Sequence, residues 1–313
     1  MSLVSQLDDY LDVRRSLGFD LRTNERILRR FIRFAEEDGA THITTPLFLR
    51  WEASLPDVNG GTRSTRLRVV RLFAQWLNGV DPAHEAPPLG LLPGRLIRAR
   101  PYIYSAAEIS ALIAAAKALP SIYGLRGLTC STLFALLAVT GMRISEALAL
   151  DCDDLDIANG VLRVRQAKLG KERLLPLASS GVTELGVYLA ERDRLIGHKA
   201  TPMFVTDKAA RLTDCVARYN FARASQEIGL RALQTYHRHG RGPRIHDLRH
   251  TFAVRTMINW YRAGKDPARE MIRLTTYLGH ANPSHTYWYL EAVPELLDLA
   301  MTRATADGKE AVQ

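Results

Sequence analysis

The sequence is poor in the features that hold secreted and metal-stabilised proteins together. Its 313 residues include three cysteines, Cys130, Cys152 and Cys215, which lie far apart with no paired spacing. They form neither a disulfide framework nor a zinc knuckle, which suits a reducing cytoplasm. The first residues lack a basic stretch followed by an apolar core, so we expect no signal peptide.

Long apolar runs, internal repeats and clustered carboxylates are also missing from the sequence. The most apolar run, Leu133 to Val139, is too short to cross a bilayer. We therefore expect no membrane partner and a cytoplasmic location. Without a carboxylate cluster, a metal-dependent nuclease is the least favoured enzyme class, and we expect neither a metal nor another cofactor.

Lysine is scarce as well, and arginine carries most of the positive charge. Only seven of the 42 basic residues are lysines, and against 33 acidic residues the net charge is +9, with a pI of about 9.6. Such an excess favours a polyanionic partner. Charge alone does not decide the function, because many basic proteins never bind DNA.

Helical periodicity dominates the first part of the chain and predicts a compact four-helix domain over residues 1–81. Each arginine there suits a solvated helix face, but together they could grip a DNA backbone. Residues 82–101 are rich in proline, glycine and arginine, which predicts an interdomain linker. A second domain is predicted over residues 102–313.

The second domain combines helices with a short strand pattern. Ser105 and Glu108 have the spacing of a capping box. Leu128 to Thr140 is apolar on all sides, which predicts a buried helix. From Asp154 to Pro176 the pattern alternates around two turns, which predicts a small antiparallel sheet. The fold class is therefore mainly α with a small antiparallel β-sheet.

Two basic positions stand out in this domain. Arg143 follows the helix-ending Gly141, and an ordinary helix junction with Arg143 paired to Glu146 would explain it. Lys168 lies at a predicted hairpin tip, where a lysine could enter a groove of DNA and protonate a leaving oxygen. Lys171 competes for that role.

A further arginine, Arg249, is flanked by His246 and His250. Its planar fork of donors matches two phosphate oxygens, and a histidine can transfer a proton near neutral pH. Two histidines one turn apart also suit a metal pair. No third ligand is evident, because Asp247 is expected to point to another face.

His280 lies in a predicted tight turn, and two tyrosines, Tyr287 and Tyr289, follow it. A tyrosine hydroxyl can act as a covalent nucleophile. Residues two apart on a helix face about 200° apart. Only one of the two tyrosines can therefore point into a shared site.

The ordered set of Arg143 in Thr-Gly-Met-Arg-Ile-Ser-Glu, Lys168, His246-x-x-Arg249, Leu-Gly-His280 and the tyrosine resembles the tyrosine recombinase family (phage integrase, Xer-like). The resemblance covers the chain from about residue 102 onward. It implies a C-terminal tyrosine-recombinase catalytic domain and, more loosely, an N-terminal four-helix core-binding domain.

The resemblance implies six catalytic positions: Arg143, Lys168, His246, Arg249, His280 and Tyr289. The arginines would hold the scissile phosphate, the lysine would protonate the leaving oxygen and the tyrosine, nine positions beyond the last histidine, would be the nucleophile. Glu146 would support the first arginine, and Tyr287 would be structural.

The implied activity is site-specific recombination through a 3′-phosphotyrosyl intermediate, without metal or ATP, in a mobile-element setting such as integration or transposition. The implied partners are double-stranded DNA, three further copies of the chain in a tetramer on DNA, and accessory recombinases. A type IB topoisomerase and a non-catalytic DNA-binding accessory protein are the alternatives. The helix Pro294–Thr305 carries an apolar stripe that could dock on a neighbouring protomer or on its own domain.

Overall fold

The computed structural model describes residues 2–92, 100–165, 172–232, 242–279 and 294–310. The chain divides into two compact units, Met1–Ala99 and Arg100–Gln313. The helices described in the first unit are α1 (Leu3–Ser16), α2 (Arg22–Glu37), α3 (Thr45–Ala53) and α4 (Gly60–Asn78).

The elements described in the second unit are, in chain order, α5 (Ala106–Lys117), α6 (Leu125–Thr140), α7 (Ile144–Ala149), β1 (Leu155–Asp156), β2 (Val161–Val164), β3 (Arg173–Pro176), α8 (Ser179–Ile196), α9 (Asp214–Glu227), α10 (Asp247–Arg262), α11 (Pro267–Leu278) and α12 (Pro294–Glu310). The prediction of a mainly helical fold with a small antiparallel sheet is confirmed.

An apolar core between α1, α2, α3 and α4 holds the first unit together. Leu28, Phe31 and Ile32, at helical spacing on α2, are buried and belong to one cluster with Phe48 and Trp51 of α3. Each such side chain stabilises the fold by about 1.5–3 kcal/mol when fully buried. The arginines between them on α2 are left on the outer face of the helix.

Residues 82–92 pack against the first unit, which corrects the predicted linker of residues 82–101. Leu92 is buried in the core of the unit, and Arg71 donates a hydrogen bond to the carbonyl oxygen of Pro87. Proline and glycine mark tight turns as readily as free linkers, so composition did not show that the chain folds back. The rest of the predicted linker lies partly outside the described residues.

Helix α6 runs through the core of the second unit. Buried side chains cover a wide arc of it, from Leu136 through Leu133 to Phe134, whereas Val139 near its end is 63% exposed. The prediction of a buried helix is confirmed over this arc. The capping box at the start of α5 is also confirmed. Ser105 accepts the Glu108 N–H through its side chain, and the Glu108 carboxylate accepts the Ser105 N–H.

The sheet has the strand order β1-β2-β3, and both pairs are antiparallel. Leu162 pairs with Leu175, and Val164 pairs with Arg173. Because side chains alternate across a strand, Arg173 lies on the same face as the buried Leu162 and Val164. The face with Arg163 is exposed.

Helices α10, α11 and α12 share a further apolar cluster. Leu296 of α12 is fully buried with Val254 and Met257 of α10, whereas Leu297 is 44% exposed. Part of the predicted apolar stripe of this helix therefore packs against its own domain. Among the described residues, no helix is both long enough and apolar enough to cross a membrane.

Candidate active site

The junction between α6 and α7 places Arg143. Gly141 caps α6 in the left-handed region at φ 61°, and Arg143 is the residue that precedes α7. Its Nη1 donates to Oε1 of Glu146 over 2.7 Å, so the predicted pairing is confirmed. Its Nη2 donates over 2.9 Å to the carbonyl oxygen of Gly279.

Arg249 reaches the same turn from α10. It is buried, and its Nη2 donates over 2.7 Å to the carbonyl oxygen of Leu278. Its Nη1 donates over 2.8 Å to the carbonyl oxygen of Gly141. The two guanidinium groups thus lie against consecutive carbonyl oxygens at the end of α11, and the next residue in the chain is His280.

Two glycines make this close approach feasible. A Cβ on Gly141 would come within 2.4 Å of the Phe252 ring, and one on Gly279 would come within 3.1 Å of Nη1 of Arg173. Gly279 also has a positive φ of 65°, a conformation that costs a side-chain-bearing residue energy. Glycine at both positions lets the helix ends meet the arginines.

Glu146 is the anion that balances this cationic site. It is 5% exposed, and both of its oxygens accept hydrogen bonds from Arg173, over 3.0 and 2.7 Å. Its Oε2 also accepts the Arg143 N–H over 2.8 Å. Desolvation raises the pKa of Glu146, but the bonds from Arg173 and Arg143 outweigh it and lower that pKa to about 2. The carboxylate is therefore charged at every physiological pH.

His246 lies immediately before α10. Its ring is 4.8 Å from the ring of His250, centroid to centroid, at a steep angle. Desolvation, and then the charge of Arg249, lower the pKa of His246 to about 4, although the residue as a whole is exposed. The imidazole is neutral at pH 7 in the DNA-free protein, which is the form that accepts a proton.

The position of Asp247 differs from the prediction. Its carboxylate is buried, accepts the Arg244 N–H over 2.7 Å, and lies 3.8 Å from Nε2 of His250. It therefore faces the second histidine rather than pointing away. Within the described residues, these side chains do not form a three-ligand group suited to a metal.

A histidine–aspartate cluster with spacing that could suit a metal lies in the first unit. His42, Asp81 and His84 each offer a ligand atom within 4.8 Å of the others. However, Nδ1 of His84 accepts the Ile43 N–H over 3.1 Å, so a neutral His84 carries its proton on Nε2. A metal-bound histidine normally donates from its second nitrogen, and this arrangement is the reverse.

Three of the six predicted catalytic positions are described by the structure, and it brings them together: Arg143 and Arg249 meet at one turn, and His246 is near enough for the charge of Arg249 to lower its pKa. Lys168, His280 and Tyr289 lie outside the described residues. The competing residues Lys171 and Tyr287 do so too.

Arg173 is a contributor that the sequence reasoning missed. The alternation of the strand indicates that Arg173 faces inward, because Arg173 and the buried Leu175 are two residues apart and therefore share a face. The structure shows an arginine, 12% exposed in its side chain, that is turned inward toward Glu146.

Two arginines at one turn, supported by a buried carboxylate, in a helical domain with a three-stranded antiparallel sheet are the arrangement expected of the catalytic domain of a tyrosine recombinase. Comparison with known proteins agrees. The model of the phage integrase family matches residues 104–295. A protein of Sinorhizobium fredii, provisionally named integrase/recombinase y4rB, is 41% identical over 302 residues, covering 95% of each chain.

More distant relatives extend the same result. The tyrosine recombinase XerC of Serratia marcescens is 28% identical over 286 residues, covering 90% of this chain and 86% of its own. Among solved structures, the Tn1549 transposon integrase in complex with transposon right-end DNA has a TM-score of 0.65 at 17% identity, covering 97% of this chain and 100% of its own. A lambda integrase tetramer bound to a Holliday junction has a TM-score of 0.61 at 18% identity, covering 90% of this chain and 78% of its own. The chain belongs to the phage integrase family and is a tyrosine-type site-specific recombinase.

Proposed function

We propose that this recombinase cuts and rejoins duplex DNA through a 3′-phosphotyrosyl intermediate, with neither metal nor ATP. The observation that supports it most is the convergence of Arg143 and Arg249 on the carbonyl oxygens of Gly279 and Leu278. A phosphate oxygen is a stronger acceptor for guanidinium than a carbonyl oxygen. The scissile phosphate would therefore compete for these donors directly beside His280.

In the proposed step, the phenolate oxygen of Tyr289 attacks the phosphorus atom and the bond to the 5′-oxygen breaks. His246 takes the phenolic proton, and Lys168 gives a proton to the departing 5′-oxygen. Negative charge that grows on the nonbridging oxygens meets Arg143 and Arg249, with a further donor from His280. A second 5′-hydroxyl reverses the step, because the energy of the broken bond is kept in the covalent link.

A bound phosphate would also prepare His246 for this role. The imidazole is neutral in the DNA-free protein because desolvation and the charge of Arg249 oppose its protonation. An anion placed between the arginines would offset that charge and raise the pKa of His246. Its basicity would then be greatest in the DNA complex, where a proton has to be taken.

The first unit is proposed as the DNA-clamping, core-binding domain. Arg26, Arg30 and Arg33 are exposed on α2 and form no ion pair or hydrogen bond within the described part of the chain. A cleft of about 610 Å³ is lined by two of them, Arg26 and Arg30. Exposed guanidinium groups of this kind suit backbone phosphates.

The proposed assembly is a tetramer on DNA, because strand exchange requires two duplexes cut in order. The lambda integrase chain with this fold was solved as a tetramer on a Holliday junction. A mobile-element role is proposed from the integrase name of the Sinorhizobium fredii relative. Accessory recombinases are a further proposed class of partner.

The test begins with footprinting on the DNA that flanks the gene, which locates the binding site. A duplex of that site with a nick beside the cleavage position should then trap the protein covalently, and EDTA should not prevent it. Tyr289→Phe should abolish trapping and leave DNA binding intact, and Tyr287→Phe is the matched control that should still trap.

Binding without trapping would overturn the proposal and identify a non-catalytic accessory protein. Trapping together with plasmid relaxation, but without recombination between two sites, would keep the phosphotyrosyl step and overturn the tetrameric strand exchange, as for a type IB topoisomerase.

A further inference from the structure

Arg173 connects three parts of the second unit through one guanidinium group. Its Nη1 and Nη2 donate to the two oxygens of Glu146 over 3.0 and 2.7 Å. Its Nε donates over 3.0 Å to the carbonyl oxygen of Tyr277 near the end of α11. The residue itself begins β3, directly after the predicted hairpin tip that includes Lys168.

These bonds fix the orientation of the carboxylate that holds Arg143. Oε1 of Glu146 accepts from Nη1 of both Arg143 and Arg173, and Oε2 accepts from the Arg143 N–H and from Nη2 of Arg173. Without Arg173, the carboxylate would lose two of its four hydrogen bonds and could rotate. The guanidinium group of Arg143 would rotate with it.

The same guanidinium also restrains the turn that leads to His280. Arg173 binds the carbonyl oxygen of Tyr277, and Arg143 binds that of Gly279, two residues further on. A side chain at Gly279 would meet Nη1 of Arg173 at 3.1 Å, so the turn and the guanidinium are in close contact. One side chain thus links the hairpin, the support of Arg143 and the end of α11.

We propose that Arg173 is a positioning residue for strand cleavage: it holds Glu146 and the end of α11 so that Arg143 and His280 meet the scissile phosphate in a fixed geometry. The proposal rests on the proposed function, since it assigns a role within that reaction. Arg173 itself is expected to touch neither DNA nor the reacting atoms.

Three donors pointing in different directions are required for this role. Arginine supplies a two-pronged fork for the carboxylate and a separate Nε–H for the carbonyl oxygen, whereas lysine supplies a single compact charge. Lysine at position 173 would keep the charge beside Glu146 but not the link between the carboxylate and Tyr277. The two substitutions therefore separate charge from geometry.

The experiment measures single-turnover cleavage of the nicked duplex at saturating protein, together with DNA affinity, between pH 5 and pH 8. Variants Arg173→Met and Arg173→Lys are compared with Arg163→Met, which removes an exposed arginine from the opposite face of the same sheet. Cleavage by Arg173→Met should be slower by about 10²-fold, the effect of a displacement of about 1 Å at a reacting centre. Arg173→Lys should be slower by at least about 10-fold, on the same reasoning.

The pH profile separates positioning from a loss of folded protein. With Arg173 removed, the buried Glu146 keeps only one guanidinium partner, so its carboxyl should protonate nearer to neutral pH. The rate constant of Arg173→Met relative to wild type should then fall further as the pH drops from 8 to 5. A folding defect would lower the amplitude of the cleavage phase and leave its rate constant unchanged.

If the wild-type chain cleaves and the rate constant of Arg173→Met lies within about threefold of the wild-type value, the positioning role is overturned and the proposed function stands. Full activity of Arg173→Lys would overturn it as well, because the fork would not be required. That comparison holds even if Arg173→Met fails to fold. If the wild-type chain does not cleave, both the proposed function and this inference fail.

Discussion

Neutralising Glu146 offers a direct test of how the cationic site is held together. The change Glu146→Gln keeps the shape of the side chain and removes its charge. Lowering the pKa of this carboxyl from its ordinary value of 4.5 to about 2 corresponds to about 3 kcal/mol, because each tenfold change in proton affinity is worth about 1.4 kcal/mol.

The burial of the two arginines gives a similar free energy. Arg143 and Arg173 keep only 23% and 12% of their side-chain surface exposed. Leaving a buried charge without its partner costs about 3–5 kcal/mol. We therefore expect Glu146→Gln to lower the free energy of unfolding of the second unit by about 3 kcal/mol at pH 7.

The sign of the pH dependence follows from the direction of the pKa. A carboxyl whose pKa is lowered by folding stabilises the native state fully above its ordinary value of 4.5, and this contribution is lost as the pH falls toward about 2. The difference in the free energy of unfolding between wild type and Glu146→Gln should be largest above pH 4.5. It should become small near pH 2, where Glu146 is about half protonated, and close below that pH.

The assay is unfolding in urea, monitored by hydrogen exchange in peptides of the second unit. Reading out those peptides alone excludes the first unit from the measurement. Glu191→Gln is the control, because Glu191 and Arg194 form an exposed pair on α8 and such pairs add little to stability. A difference in the free energy of unfolding that is the same at every pH would refute the reasoning, because the charge of Glu146 would not be its cause. The absence of any difference at pH 7 would refute it as well.

Two further predictions test the glycine at the end of α6 and the arginines. Gly141→Ala should lower the free energy of unfolding by about 1–3 kcal/mol, because its Cβ would lie 2.4 Å from the Phe252 ring. The control Gly181→Ala, with open space around its Cβ, should leave thermal stability equal or slightly higher, and an equal loss for both would contradict the argument. Arg143→Lys and Arg249→Lys should each reduce the cleavage rate by about 10²–10³-fold with affinity for DNA nearly unchanged in gel-shift assays; a parallel loss of affinity would instead indicate ordinary backbone contacts.

Local patterns predicted much of the second unit. The apolar circumference of α6 and the alternation around β2 depend on neighbouring residues alone, so the sequence was sufficient for both. The pairing of Arg143 with Glu146 was likewise predictable from a separation of three residues. What no local pattern contained was the meeting of Arg143 with Gly279, 136 positions away in the sequence.

The corrections share a physical cause, which is dependence on tertiary contacts. Residues 82–92 have the composition of a linker but fold back, because Leu92 finds an apolar core and Arg71 donates to nearby carbonyl oxygens. Asp247 was expected to point away from His250, but burial and its bond from the Arg244 N–H turn the carboxylate inward. Helix geometry alone does not determine that rotamer.

The central proposal is that one tyrosine oxygen reaches a phosphorus atom held between Arg143 and Arg249. The most direct measurement is mass spectrometry of the covalent DNA complex after digestion with protease and nuclease. The account predicts that the remaining nucleotide is attached to the hydroxyl of Tyr289. Attachment at Tyr287 or at any other residue, or the absence of an adduct under conditions where the nicked site is bound, would contradict it.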